Sequence, residues 1–129
     1  MQDTPEERVR QKVLKHMLVS LGFPKGLLLV ERALEGFPKS ACRRIDILSL
    51  MKDGDTLKPL LLVECKAGDI APSAKMQLAG YNAHVKAPFF ALANESCVHF
   101  GYWHCKDVRW LDFIPPYFQI EVEFKKIKA

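Results

Sequence analysis

Cysteine is scarce and unpatterned: the four in 129 residues are Cys42, Cys65, Cys97 and Cys105, and no two stand at Cys-x-x-Cys spacing. A zinc knuckle and a dithiol redox motif are thereby excluded, and reduced thiols are expected. His99, His104 and Cys105 do not restore a metal cluster, because adjacent His104 and Cys105 on a strand face opposite sides. A Gly-x-x-x-x-Gly-Lys-Ser/Thr phosphate loop is missing, so these residues encode no ATP-driven motor of that type. Long apolar runs are missing too. The stretch Leu27 to Val30 is far too short for a bilayer, no secretory leader pattern is present, and a cytoplasmic location is expected. There are no internal repeats or low-complexity tracts.

What is present reads as one ordinary globular domain over residues 1–129, 49% hydrophobic and 26% charged. A chain of this size buries about two-thirds of its unfolded surface, enough for an independent core. The formal charge of +4 is a mild bias towards a polyanion. Basic residues cluster at Arg8, Arg10, Lys12 and Lys15, at Arg43 and Arg44, and at Lys125, Lys126 and Lys128. The first and last clusters read as a solvated helix face and a tail. Arg43 and Arg44 adjoin the charged strands described next and are the better phosphate contacts.

Charge sits where it is costly in two apolar segments, Arg44-Ile45-Asp46-Ile47-Leu48 and Leu60-Leu61-Leu62-Val63-Glu64-Cys65-Lys66. A buried carboxylate must be protonated, paired or given a cation. Alternation along a strand puts Glu64 and Lys66 on one face and Cys65 on the other, where it acts as a small hydrophobe in the core. The polar linker from Met51 to Pro59 contains Asp53-Gly54 and reads as a hairpin connection. An odd-membered loop centred on Asp55 would set Asp46 opposite Glu64, with Cβ atoms roughly 5 Å apart. A two-residue turn would change the parity and send Asp46 to the other face; the odd loop is the expectation. Two carboxylates that close need a cation between them, and Mg²⁺ suits them because it is hard, prefers oxygen and retains water. The retained water is then a nucleophile that Lys66 can orient, which is the chemistry of phosphodiester hydrolysis.

Asp46 followed by Glu64-Cys65-Lys66 resembles the PD-(D/E)XK nuclease superfamily. The likeness extends to Thr4-Pro5-Glu6-Glu7-Arg8-Val9-Arg10-Gln11, Gly22-Phe23-Pro24, Arg43-Arg44-Ile45-Asp46, Leu62 to Ala67, and Gln77 through Tyr81-Asn82. Together these resemble the N-terminal nuclease domain of the type I restriction enzyme R subunit, over roughly residues 4 to 105. The resemblance implies a restriction-endonuclease-like αβββαβ core, an α/β (α+β) mixed sheet flanked by helices. It implies Asp46, Glu64 and the backbone carbonyl of Cys65 as metal ligands, Mg²⁺ as cofactor with Mn²⁺ substituting, and Lys66, Gln77 and Glu7 as assisting residues. Glu6 satisfies the pattern as well as Glu7 does. It further implies DNA as partner, with Arg43 and Arg44 contacting it. A separate helicase or specificity subunit, and a second copy of the chain, are compatible partners. Two other functions fit the sequence, a nucleic-acid-binding module that does not cut and an interaction subunit. DNA sequence specificity is not legible.

Along the chain, Thr4 to Leu21 reads as an amphipathic helix with Thr4 as N-cap, Pro5 in the first turn and acids at its positive end. Strands are expected over 27–34, 42–51, 59–66, 88–93 and 98–105, with a helix entered at Ala71-Pro72-Ser73 and continuing to Val85. Glu31 in the first strand reads as a partner for Arg32, Arg43 or Arg44. Gly80 is expected to let the second helix pack closely on the sheet. Residues 106–129 form an extension outside the resemblance. There, Trp110 to Tyr117 reads as irregular, and the alternation of Phe118, Ile120, Val122 and Phe124 with polar residues reads as a half-buried strand.

Overall fold

The structure, a computed structural model, describes residues 4–33 and 44–128, without the side chains of 31–33, 44, 127 and 128. Its elements run α1 (Pro5–Val19), β1 (Leu28–Ala33), β2 (Arg44–Asp53), β3 (Thr56–Cys65), α2 (Pro72–Val85), β4 (Phe89–Ala93), β5 (Val98–His104), β6 (Asp107–Leu111) and α3 (Tyr117–Lys128). The expected αβββαβ order is present, followed by two more strands and a helix. All six strands form one sheet in chain order. β3 and β4 are parallel and the other neighbours antiparallel. A parallel pair requires a crossover, which α2 supplies.

The sheet is covered on both faces. Val9, Val13 and Met17 of α1 and Ile120 of α3 are buried with Ile47, Val63, Cys65, Ala91 and Phe100 on one face. Ala74, Leu78 and Val85 of α2 are buried with Leu48, Leu62, Phe90 and Leu92 on the other. β3 and β4, at the centre, therefore read as continuous apolar runs, and all five residues of β4 are buried.

Helix α1 starts where its residues dictate: the Thr4 hydroxyl accepts the Glu7 backbone N–H at 3.1 Å, and Pro5 fills the first position. Gly22, at φ +73, turns the chain out of it. α2 ends on Lys86 in the left-handed region, and the Asn82 amide grips Ala87 through both its N–H (3.2 Å) and its carbonyl (2.7 Å). Asn82 thus joins the helix end to the start of β4.

Two expectations for the C-terminal part fail. Residues 107–111, expected in part as irregular, form the edge strand β6. Residues 118–127, expected as a strand, lie in the helix α3, with Ile120 buried, Phe124 packed against the core, and Phe118 and Val122 exposed. The alternation had both periods in it: Ile120 and Phe124 are also four apart, and a helix seats them on one face while leaving Phe118 and Val122 in solvent. Gly80 also differs from expectation. A Cβ there would meet nothing within 4 Å, so α2 does not need it for close packing. The glycine that close packing requires is Gly101, where a Cβ would lie 2.6 Å from the Phe90 ring and 2.8 Å from Trp110.

Candidate functional site

The β2–β3 hairpin turns over two residues, since Asp53 pairs with Thr56. Gly54 takes φ +63, as the first position of a II′ turn requires. The expected odd loop is therefore absent. By parity alone Asp46 would face away from Glu64, but it does not. Ser49 pairs with Leu61 and Leu50 with Pro59, so Leu60 is an extra residue on β3, a β-bulge. Pro59, which has no N–H to give the ladder, is tolerated at such a place. Beyond the bulge the register is Leu48 to Leu62 and Ile47 to Val63, which brings Asp46 level with Glu64. The expected alignment is present through a different device.

The ladder of paired residues ends at Ile47 and Val63, and past it the Asp46 side chain bridges the two strands: its Oδ2 accepts the Cys65 backbone N–H at 2.8 Å. Its Oδ1 accepts from Arg10 Nη1 at 3.2 Å. Arg10 Nη2 pairs in turn with Glu7 Oε2, and Gln11 Nε2 donates to Glu7 Oε1 at 2.7 Å. Glu7 and Arg10 are both buried. One guanidinium thus sits between two carboxylates at the base of α1, which fixes Glu7, rather than exposed Glu6, as the acid of that turn that reaches the site.

Glu64 Oε2 lies 3.7 Å from Lys66 Nζ, with the glutamate side chain 15% exposed and the lysine 38%. A half-buried acid beside a more exposed base puts the Lys66 ammonium at the mouth of the site. Lys66 is anchored through its backbone, whose N–H donates to the Ala93 carbonyl at the end of β4 at 2.8 Å. Asn94 then holds the loop after Lys66 by donating to the Gly68 carbonyl at 2.8 Å. Asp46 and Glu64 line one cavity of about 10 Å³ together with Leu78 and Tyr81 of α2. That is about the space of one water-sized occupant. Gln77, one turn earlier on α2, is exposed and does not line it.

Cys65 is buried in the core on the opposite face, as its place in the alternation requires. Burial pushes its thiol up from 9.0 to about 12, with the nearby Asp46 carboxylate adding to the shift. Arg43 lies outside the described residues, as does Cys42, and so do the side chains of Arg44 and Glu31. Their expected roles in phosphate contact and ion pairing therefore fall outside the described residues. The carboxylates that line this cavity are those of Asp46 and Glu64. Among the described residues no group of three or more His, Cys, Asp or Glu side chains is arranged to hold a metal ion.

Arg10 is the site residue that sequence reasoning missed. Counted with Arg8, Lys12 and Lys15 it looked like part of a solvated face. Its spacing carried the contrary signal, because Arg10, Val13 and Met17 fall on one stripe of the helix. Tyr81 stands one turn after Gln77 on α2, and it is the member of that pair which reaches the cavity.

No helix among the described residues is long and apolar enough to cross a membrane. No curated protein and no solved structure matches the chain. A family model does, over residues 5–115, from the first residue of α1 through β6. The match spans every site residue described above, and the chain belongs to the family described as type I restriction enzyme R protein N terminus (HSDR_N).

Proposed function

We propose that this chain is a metal-dependent deoxyribonuclease of PD-(D/E)XK type that acts in a restriction system. The observation that carries the reading is the convergence of Asp46 and Glu64 on one small cavity with Lys66 beside Glu64. The donors fit Mg²⁺, with Mn²⁺ substituting: both are hard carboxylates, the cavity takes one small occupant, and this ion is commonly held by one or two carboxylates plus waters. Each Asp46 oxygen accepts one hydrogen bond and keeps a lone pair. Asp46, Glu64 and the Cys65 carbonyl would hold the ion, which when bound supplies Lewis-acid polarisation and a more acidic water.

The chain's own residues do the rest. The Cys65 N–H fixes the Asp46 carboxylate against β3 so that it does not swing with its side chain. Lys66 brings a positive charge to the open side of the pair, where a scissile phosphate gathers negative charge during attack. Glu7 holds Arg10, and exposed Gln77 on α2 is within the family pattern for supporting the site. Arg43 and Arg44 would contact the DNA backbone, and a separate helicase or specificity subunit would supply what these residues lack.

Incubation of the purified protein with linear, circular and branched DNA and Mg²⁺ or Mn²⁺ tests this beside Asp46→Ala and Lys66→Ala. Cleavage by the native protein that falls at least about 100-fold in both variants is expected. Cleavage that persists in both would sink the assignment. One observation favours a second reading, since Arg10 already pairs with Asp46. DNA binding that needs no metal and leads to no cutting would assign a non-cleaving module instead.

A further inference from the structure

We infer that Arg10 is a positioning residue that occupies the charge of the metal's ligand: its guanidinium holds Glu7 and Asp46, and an ion entering the site competes with it for the Asp46 carboxylate. The inference rests on the metal-dependent reading above and adds a regulation of that site, the affinity for the ion being set by an internal competitor.

The geometry supplies the argument. Arg10 is 7% exposed and Glu7 8%, so each charge would be costly there without its partner. The guanidinium reaches Asp46 Oδ1 with Nη1 and Glu7 Oε2 with Nη2, which is the planar fork that arginine offers and lysine does not. Asp46 is fixed independently on its other oxygen by the Cys65 N–H. Losing Arg10 therefore leaves the carboxylate near its place with its negative charge uncompensated. A cation arriving between Asp46 and Glu64 repels a guanidinium 3.2 Å from one of its ligands, and Glu7 offers that guanidinium a second anion to stay with. The acid of α1 then serves as the resting place of the displaced charge.

Titration calorimetry with MnCl₂, with DNA absent, tests this on native protein, Arg10→Met and Arg10→Lys, alongside thermal melting of each without metal. Expected is a lower metal-free melting temperature for Arg10→Met, together with Mn²⁺ binding about tenfold tighter than native. Arg10→Lys, which keeps the charge but cannot bridge both acids, is expected between the two. If Arg10→Met does not fold, the Lys variant decides alone, by binding Mn²⁺ more tightly than native. Native protein that binds Mn²⁺ while the folded variants bind it equally or more weakly overturns the inference and leaves the metal reading standing. Folded native protein and variants that all fail to bind Mn²⁺ overturn the metal reading, and this inference falls with it.

Discussion

The two ends of the β2–β3 hairpin obey different rules. At the turn, Asp53 and Thr56 close a two-residue loop, side chains are exposed, and the ion pair of Lys58 with Asp53 at 2.9 Å stands in solvent. At the other end the register is displaced by one residue, and charge is packed into a shared network of Glu7, Arg10 and Asp46. Leu60 separates the two regimes. The lesson is that turn parity and site parity are independent once a bulge lies between them, so the face on which a side chain emerges is a property of the whole strand.

Removing Leu60 breaks the comparison most severely. The deletion would carry the turn's register through to the site, moving Asp46 off Glu64 and turning buried Leu61, Leu62, Val63 and Cys65 over to the wrong faces. Loss of the cooperative melting transition by circular dichroism is expected. A native-like transition with cleavage intact would show that β3 re-forms its bulge from a neighbouring residue.

Alkaline pH sharpens the contrast at the site end. The Cys65 thiol is raised in the folded protein to about 12 from an ordinary 9.0, so the folded state holds its proton more tightly than the unfolded state. Its contribution is complete below about pH 9 and is lost as pH climbs towards 12, at most about 1.4 kcal/mol per pH unit. Urea unfolding between pH 8 and 11 should show a steeper loss for native protein than for Cys65→Ala; parallel slopes would refute the assignment. The smallest effect belongs to the turn. Lys58 is 48% exposed, and Lys58→Ala should change stability by about 0.5 kcal/mol or less in the same assay, with cleavage unchanged.

The site was more legible than the edges of the fold. Asp46, Glu64 and Lys66 stood out because charge inside apolar strands is costly whatever the turn, and the caps of α1 were written in Thr4 and Pro5. The bulge was illegible because nothing local marks Leu60 as unpaired; only Pro59 beside it, a residue that cannot donate to a ladder, hints at irregularity. α3 was misread because Phe118, Ile120, Val122 and Phe124 suit a strand by alternation, while the helix pattern depends on which of the four finds a core to enter. Arg10 was passed over because a helical arginine is ordinarily solvated, and its burial follows from carboxylates supplied 3 and 36 residues away.

The bond from the Lys66 N–H to the Ala93 carbonyl has a consequence in time. β2 and β3 are neighbours in sequence and their antiparallel pairing closes early, whereas β3 can recruit β4 only after α2 has been made and laid across the sheet. A chain leaving the ribosome therefore has Asp46 and Glu64 aligned well before Lys66 is secured. The candidate site is completed only when the slow parallel pairing is made, so half-folded molecules carry the two acids without the lysine beside them.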